Sequence, residues 1–372
     1  MLIFEILFYI FVVVVFTQIV FYGFIFGKFS FTKKGNYNST NANFPISVII
    51  CAKNEAKNLK KFLPIILKQD YPKFEVVLIN DSSNDKTLKV MEDFKAEFNN
   101  IKIVNVKSIE AFWGNKKYAL TLGIKAASYN HLLFTDADCK PLSNQWIKQM
   151  SSHFSNKASI IIGYGAYKKE PKSFLNKLIR YETLITAVQY FSYAKIGKPY
   201  MAVGRNLAYT KEVFFEARGF MNHMNIKSGD DDLFVNETAT PTNVSLCYEK
   251  ESFTESIPKK TYSDWLLQKR RHISTAKYYK AIHKTMLVVF YVSQLSFFIL
   301  AIVLISASIY WQFLIGIIVL RYVILYLSLI FASKKLNEKD LIFYFPLLEM
   351  FLVIAQLSIF MQNLTSKPNH WK

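Results

Sequence analysis

Apolar and polar positions follow two different regimes along the 372 residues. Four stretches are apolar almost throughout, at residues 2–26, about 285–306, 309–331 and 341–364. Each is near the ~20 residues that a helix needs to cross a hydrocarbon core of ~30 Å, so the pattern predicts one span before a middle region and three after it. A cleaved leader is the rival reading of the first stretch. That stretch lacks a basic start and an A-x-A-like exit, and its apolar run is too long, so a retained anchor over residues 1–27 is expected. Arg321 interrupts the third stretch, and an arginine at that depth should face protein, water or a lipid phosphate rather than acyl chains.

The middle region, residues 45–257, alternates like a globular domain. The β-rich run from Ile46 to Ile50 leads to Leu59, Phe62, Leu63, Ile66 and Leu67 at helical spacing, then a turn at Pro72, then a second strand from Phe74 to Ile79. This strand, helix, strand order predicts an open, doubly wound α/β sheet. A further apolar run, Leu132, Leu133 and Phe134, stops at Asp136 and Asp138. If the strand continues through them, its period of two sends both carboxylates to one side at the strand's carboxyl end. A hard divalent ion such as Mg²⁺ or Mn²⁺ suits that pair; the competing reading is a turn in which aspartate caps the next helix. Glu55 and Asp81 follow the first two strands, and ligands of open parallel sheets bind outside such strand ends. Asp85 is expected to cap a helix. Gly114, Asn115 and Lys116 open another helix, where Lys116 either reaches a phosphate or is simply solvated. Neither G-x-G-x-x-G nor G-x-x-x-x-G-K-[ST] occurs, which argues against a dinucleotide-binding domain and a P-loop ATPase.

The net charge of +19 raises nucleic acid as a partner. With four apolar stretches, attraction to anionic headgroups and the orientation signal explain it better, and no nucleic acid is expected. Lys28, Lys33 and Lys34 follow the first span; Lys269, Arg270, Arg271, Lys277, Lys280 and Lys284 precede the second; Lys334, Lys335 and Lys339 separate the third from the fourth. All three clusters fall on one side. That side is expected to be the cytoplasm, giving a multi-pass inner-membrane protein with a cytoplasmic middle domain and with its N-terminus, the loop near Ser308 and its C-terminus outside. Cys51, Cys139 and Cys247 have no metal-ligand spacing and suit a reduced compartment.

The Ile46–Ile50 strand with Asn54 and Glu55, the stretch Ile79 to Thr87, Lys116 with Ala119 and Leu120, and the run Phe134 to Cys139 together resemble the nucleotide-binding half of family 2 glycosyltransferases of the GT-A fold. The resemblance implies that Glu55 and Asp81 hold the base and ribose of a UDP- or GDP-sugar, and that Asp136 and Asp138 bind its diphosphate through a divalent metal. Cys51 stands where the family usually has proline, and Asn80 where it often has aspartate.

Further on, Gly204, Asn206 and Ala208 followed by Gly219 and Phe220 are similar to the family's acceptor loop. The run Ser228 to Phe234 aligns with its Glu-Asp-x-Asp-Leu pattern, which makes Asp230 the candidate base, with Gly229 in place of glutamate. Three adjacent acids also suit a helix N-terminus, and the choice among Asp230, Asp231 and Asp232 stays open. Gln268 and Arg271 resemble the Gln-x-x-Arg-Trp motif, with His272 in place of tryptophan; an arginine there would stabilise a departing diphosphate. Residues 258–284 also read as a basic amphipathic helix with Trp265, Leu266, Ile273 and Tyr279 dipping into a membrane. The expectation is a membrane-bound inverting hexosyltransferase acting on a lipid, lipid-linked or glycan acceptor. A processive polysaccharide synthase subunit, a nucleotide-binding pseudoenzyme and a regulated transporter are the alternatives.

Overall fold

The computed structural model describes residues 2–33, 44–107, 116–308 and 310–366. At the N-terminus α1 (Leu2–Ile19) passes through a π-helical turn at Val20–Ile25 into α2 (Phe26–Ser30), making one apolar rod of 29 residues. The globular part then runs β1 (Ile46–Ala52), α3 (Ala56–Leu67), β2 (Phe74–Asp81), α4 (Thr87–Glu97), β3 (Ile101–Val106), α5 (Lys116–Ala126) and β4 (His131–Phe134). It continues with β5 (Cys139–Pro141), α6 (Trp146–Ser151), β6 (Ile160–Ile162), β7 (Gly165–Tyr167), α7 (Phe174–Lys195), β8 (Leu207–Thr210), α8 (Lys211–Glu216), α9 (Asp232–Thr238), β9 (Val244–Leu246) and β10 (Thr254–Ser256). Last come α10 (Tyr262–Ile273), α11 (Ala281–Ser306), α12 (Trp311–Lys335) and α13 (Phe345–Thr365).

Seven strands form one sheet in the order β3-β2-β1-β4-β8-β6-β9, while β5, β10 and β7 form a small second sheet. The strands β3, β2, β1 and β4 are mutually parallel, but β8 pairs antiparallel with both β4 and β6, so the sheet is mixed. β1 is covered by helices on both faces, which is why Ile46, Val48, Ile49 and Ile50 are all buried despite their alternation. On one face the predicted stripe of Leu59, Leu63, Ile66 and Leu67 packs over Val48 and Ile50. On the other, Ala119, Leu120 and Ile124 of α5 pack over Ile49, Val77 and Ile79. The chain leaves β1 toward β2 and β3 and later returns to lay β4 on β1's other side. The carboxyl ends of β1 and β4 therefore flank the switch point where an open sheet offers a crevice.

Helix α7 is absent from the periodicity reading because it has no single apolar stripe. It is buried nearly all round, from Leu175 through Tyr193, between the sheet and the apolar helices. Its Arg180 is buried and donates from Nε to Glu338 (2.9 Å) and from Nη1 to Asp340 (2.8 Å), tying the segment after α12 to the globular domain.

Four helices are long and apolar enough to cross a membrane: Leu2–Ser30, Ala281–Ser306, Trp311–Lys335 and Lys339–Thr365. The end of α2, the start of α11 and the end of α12 all meet the globular domain. Phe29 stacks on Phe191 of α7 at 4.8 Å, His283 lies 3.0 Å from the Asn236 amide, and Lys335 donates to the Phe29 and Thr32 carbonyls (2.5 and 2.6 Å). The opposite ends meet each other, with the Phe8 and Tyr310 rings 5.1 Å apart. The described basic clusters accordingly gather at the domain's end of the bundle; Lys34 lies outside the described residues.

Arg321 does not face lipid phosphate, as one reading of the sequence allowed. Its side chain is fully buried and pairs with Glu349 of α13, with Nη1 to Oε2 at 2.7 Å, while its Nε donates to Gln18 (2.6 Å). Tyr22 and Gln294 also donate to Glu349 (2.9 and 3.1 Å), and Phe297 lies under the guanidinium at 4.4 Å. In a medium without water an unpaired arginine is costly, so α1, the π-helical turn, α11, α12 and α13 each contribute to satisfying it.

Candidate active site

The crevice at the switch point is lined by Cys51 from β1, Thr135 and Asp136 beyond β4, Lys116 from α5, Gly204, and Asp230 and Asp231 before α9. Lys116 sits at its centre. Its ammonium lies 3.1 Å from Asp136 and 2.9 Å from Asp230, joining two carboxylates that are 94 positions apart in the chain. Burial works against this charge, but the two carboxylates outweigh it and hold the lysine well above its ordinary range. The free space is about 20 Å³, room for about one water. Gly114 and Asn115, which precede this lysine, lie outside the described residues.

Asp136 and Asp138 do come together, but not by strand alternation. β4 ends at Phe134, and Thr135 to Asp138 form a turn closed by the Cys139 N–H donating to the Asp136 carbonyl (3.1 Å). Oxygens of both carboxylates and the Cys139 sulfur lie within 4.8 Å of one another. Burial and then the Asp136 charge push the Asp138 carboxyl up, against Arg205 and Lys116. Two hard oxygen donors whose charges repel are a suitable donor set for Mg²⁺ or Mn²⁺. The Cys139 sulfur lies 2.9 Å from the Ser256 hydroxyl and 3.4 Å from the Asp138 carboxylate.

Asp81 ends β2 and is buried; burial pushes its carboxyl up, partly offset by Lys53 and Lys116. Cys51 lies among Asp81, Asp230 and Asp136, and burial followed by these charges raises its thiol, with Lys116 opposing. Asn80, where the family often has aspartate, is buried and donates to Asn105 on β3 (2.8 Å), a sheet contact rather than a site group. Glu55 stands at the start of α3, where its carboxylate accepts from Asn58 (2.5 Å) and its N–H donates to Thr87 (2.8 Å). Asp85 accepts from the Thr87 N–H (2.9 Å) and from the Ala56 N–H of α3 (3.3 Å), but it stands one residue before the N-cap of α4, which is Lys86 and not the aspartate expected.

The three consecutive acids have three different surroundings. Asp231 is the N-cap of α9, accepting from the Asp232 N–H (2.7 Å) and from the Gly204 N–H (2.6 Å). Burial, then Asp230 and Asp232, raise its carboxyl to about 7. Asp232 points the other way, accepting from the hydroxyls of Thr275 (2.5 Å) and Tyr279 (2.6 Å). Asp230 faces the crevice. Burial would raise it, but the Lys116 charge and hydrogen bond bring it below the ordinary carboxylate range. Gly229 explains the missing glutamate of the family pattern: its φ is +93°, and a Cβ there would stand 2.5 Å from Leu233.

On α10, Arg271 lies within electrostatic reach of both Asp230 and Asp136; burial lowers its pKa and those carboxylates oppose the shift. Gln268, one turn earlier, has its Oε1 buried without a hydrogen-bond partner among the described residues. The membrane-dipping face expected of this helix is corrected by the structure. Trp265 is buried in the domain core and Tyr279 is buried against Asp232; of the four residues named for that face, Ile273 alone is exposed and Leu266 packs partly on the core. The burial of Trp265 and Tyr279 orients α10 with Arg271 toward the crevice.

Two cations escaped the sequence reading. Arg205 bears on Asp138 and lies 4.3 Å over the Tyr167 ring; it was visible only as part of the acceptor-loop run. Lys117 is buried and donates to the His223 and Ile226 carbonyls (2.7 and 3.1 Å), pinning the loop that leads to Asp230. Burial takes its pKa down to about 8, against the pull of Asp230, Asp232 and Asp231. Neighbouring lysines on one helix thus serve different tasks, a distinction no spacing rule carries.

Residues 47–217 match the model of glycosyl transferase family 2. The chain is 28% identical over 224 residues to glycosyltransferase AglE of Haloferax volcanii, covering 58% of this chain and 70% of that one. It is 34% identical over 93 residues to the poly-beta-1,6-N-acetyl-D-glucosamine synthase of Staphylococcus epidermidis, covering 25% of this chain and 21% of the synthase. Its fold is similar to that of mannosyltransferase PcManGT from Pyrobaculum calidifontis, solved with GDP-Man and Mn²⁺, with a TM-score of 0.59 at 17% identity over 90% of this chain and 99% of that one. The family match over the sheet that carries the crevice, with relatives that are themselves glycosyltransferases, makes residues 47–217 a glycosyltransferase family 2 domain with a GT-A-like fold.

Proposed function

We propose that the chain transfers a sugar from a UDP- or GDP-sugar to a hydroxyl of a lipid or lipid-linked acceptor at the surface of the cell's inner membrane, with inversion and with the catalytic domain in the cytoplasm. The observation that carries this reading is the sharing of Lys116 between Asp136, on the donor side, and Asp230, on the acceptor side. A diphosphate arriving at Asp136 and Asp138 attracts the lysine and frees Asp230. Asp230 then accepts the acceptor's hydroxyl proton as that oxygen forms its bond to the anomeric carbon, while the bond from that carbon to the phosphate oxygen breaks and the nucleoside diphosphate leaves. Lys116 and Arg271 offset the charge that builds on the leaving group, with Gln268 beside them. A Mg²⁺ or Mn²⁺ ion held by Asp138 and Asp136 would add a cation at the diphosphate. Glu55 and Asp81, at the ends of β1 and β2, take the base and ribose.

Asp138→Asn is expected to remove the metal dependence of donor binding. Titrating a nucleotide sugar into purified protein with and without chelator checks it, and a variant that retains metal-stimulated affinity would count against the assignment.

A subunit of a processive polysaccharide synthase is the second reading, favoured by the similarity to the poly-beta-1,6-N-acetyl-D-glucosamine synthase. Membranes supplied with a panel of labelled UDP- and GDP-sugars decide between them. A lipid-extractable product carrying one or a few sugars is expected; a long water-soluble polymer formed without lipid would refute the proposal.

A further inference from the structure

We infer that α13 does not cross the bilayer but lies within the leaflet nearest the catalytic domain, with its outward apolar face covered by acyl chains. Length and hydropathy place it among the candidate spans, yet both of its ends are fastened to the same globular domain. Before its start, Glu338 and Asp340 are gripped by Arg180 of α7, and the Phe345 ring lies 5.7 Å from that of Tyr181. At its end, Arg270 of α10 donates to Asn363 (3.0 Å) and to the carbonyl and hydroxyl of Ser366 (2.7 and 2.8 Å).

The packing along the helix agrees. The cluster at the far end of the bundle, Phe11, Val15, Phe297, Ala301, Leu304 and Leu314, is built from α1, α11 and α12. The buried Phe345, Leu348 and Leu352 of α13 belong instead to the cluster that joins the globular domain to the near parts of α2, α11 and α12. Near its middle the Val353 carbonyl accepts from Tyr291, at 3.5 Å. Tyr291 is ten positions from the start of α11, about 15 Å from its domain end by helical rise.

The outward face commits the occupant to lipid. Met350, Ile354, Leu357, Met361 and Leu364 recur at helical spacing and are exposed. The one charged residue of α13, Glu349, turns inward to Arg321. α13 meets α11 at Tyr291, α11 exposes Val288 and Val292 and continues to the far end, and an uncharged apolar stripe on a helix packed against a spanning one suits acyl chains. The helix that carries Gln268 and Arg271 is thereby mounted on one embedded in the membrane. Ser366, the last described residue, falls on the domain's side, the reverse of what four crossings would give. This inference stands on anchoring and packing and does not depend on the acceptor proposed above.

The test is side-selective labelling of the full chain in sealed vesicles by a membrane-impermeant maleimide, above the background of the unaltered protein. Three variants are compared: a cysteine appended after Lys372, Lys57→Cys on the exposed start of α3, and Ser308→Cys at the far loop. The appended cysteine is expected to label from the same side as Lys57→Cys and opposite Ser308→Cys; labelling together with Ser308→Cys would overturn the inference. Nitroxides at Ile354→Cys and Leu364→Cys give a second, independent reading. An upright helix separates them by about 15 Å in depth, whereas less than half of that is expected here, and the full separation would equally overturn it.

Discussion

Asp230→Asn is expected to lower turnover by ~10²-fold or more while leaving nucleotide-sugar affinity nearly intact, the usual scale of a lost general base. The geometry isolates this carboxylate from its neighbours. Asp231 accepts two backbone N–H groups and caps α9, while Asp232 is satisfied by two hydroxyls on the far side. Asp230 is held by Lys116, a flexible side chain that also serves Asp136. Asparagine is nearly isosteric and retains an acceptor for the lysine, so the fold and the donor side should survive. Steady-state kinetics with the donor varied at saturating acceptor, together with direct donor binding, separate the outcomes. A fall in donor binding with turnover preserved would make Asp230 a donor or metal ligand. Asp231, whose carboxyl is raised to about 7, would then be the next candidate for the base.

Arg321→Leu is expected to destabilise the chain by ~3–5 kcal/mol, because it leaves Glu349 buried without its counter-charge. Tyr22 and Gln294 still donate to that carboxylate, but a hydroxyl and an amide do not replace a full charge. Combining Arg321→Leu with Glu349→Leu should recover most of the loss, since a pair of apolar residues of similar volume is often as stable as the buried ion pair it replaces. Denaturation of the purified protein in detergent measures the cycle. A cost below ~1 kcal/mol for the single variant would mean that water or lipid headgroups reach Glu349 and that the network is not sealed.

Much of the molecule was legible in the chain itself, for physical reasons that are local. The stripe from Leu59 to Leu67 and the runs from Ile46 and Phe74 announced α3, β1 and β2, because side-chain burial follows backbone periodicity within one element. The four apolar stretches were equally plain, since a helix in hydrocarbon satisfies its own backbone and needs no partner to be recognised. The acids at strand ends stood out because the carboxyl ends of parallel strands are where this kind of sheet opens.

What only the tertiary structure decided are matters of direction and of which groups meet. Asp136 and Asp138 converge through a turn and not through strand alternation, because β4 ends at Phe134 and β5 starts at Cys139. Trp265 and Tyr279 turn inward, although an amphipathic pattern cannot distinguish a protein surface from a lipid one. Three adjacent aspartates look alike in one dimension, and α9 divides them among the crevice, its own N-terminus and a contact with Thr275 and Tyr279. Lys116 reaches Asp230 only because α5 and the loop before α9 meet over the sheet. Apolar length marks α13 as able to cross a membrane, and its two anchors on the catalytic domain turn it back, since hydropathy records affinity for lipid but not the path through it.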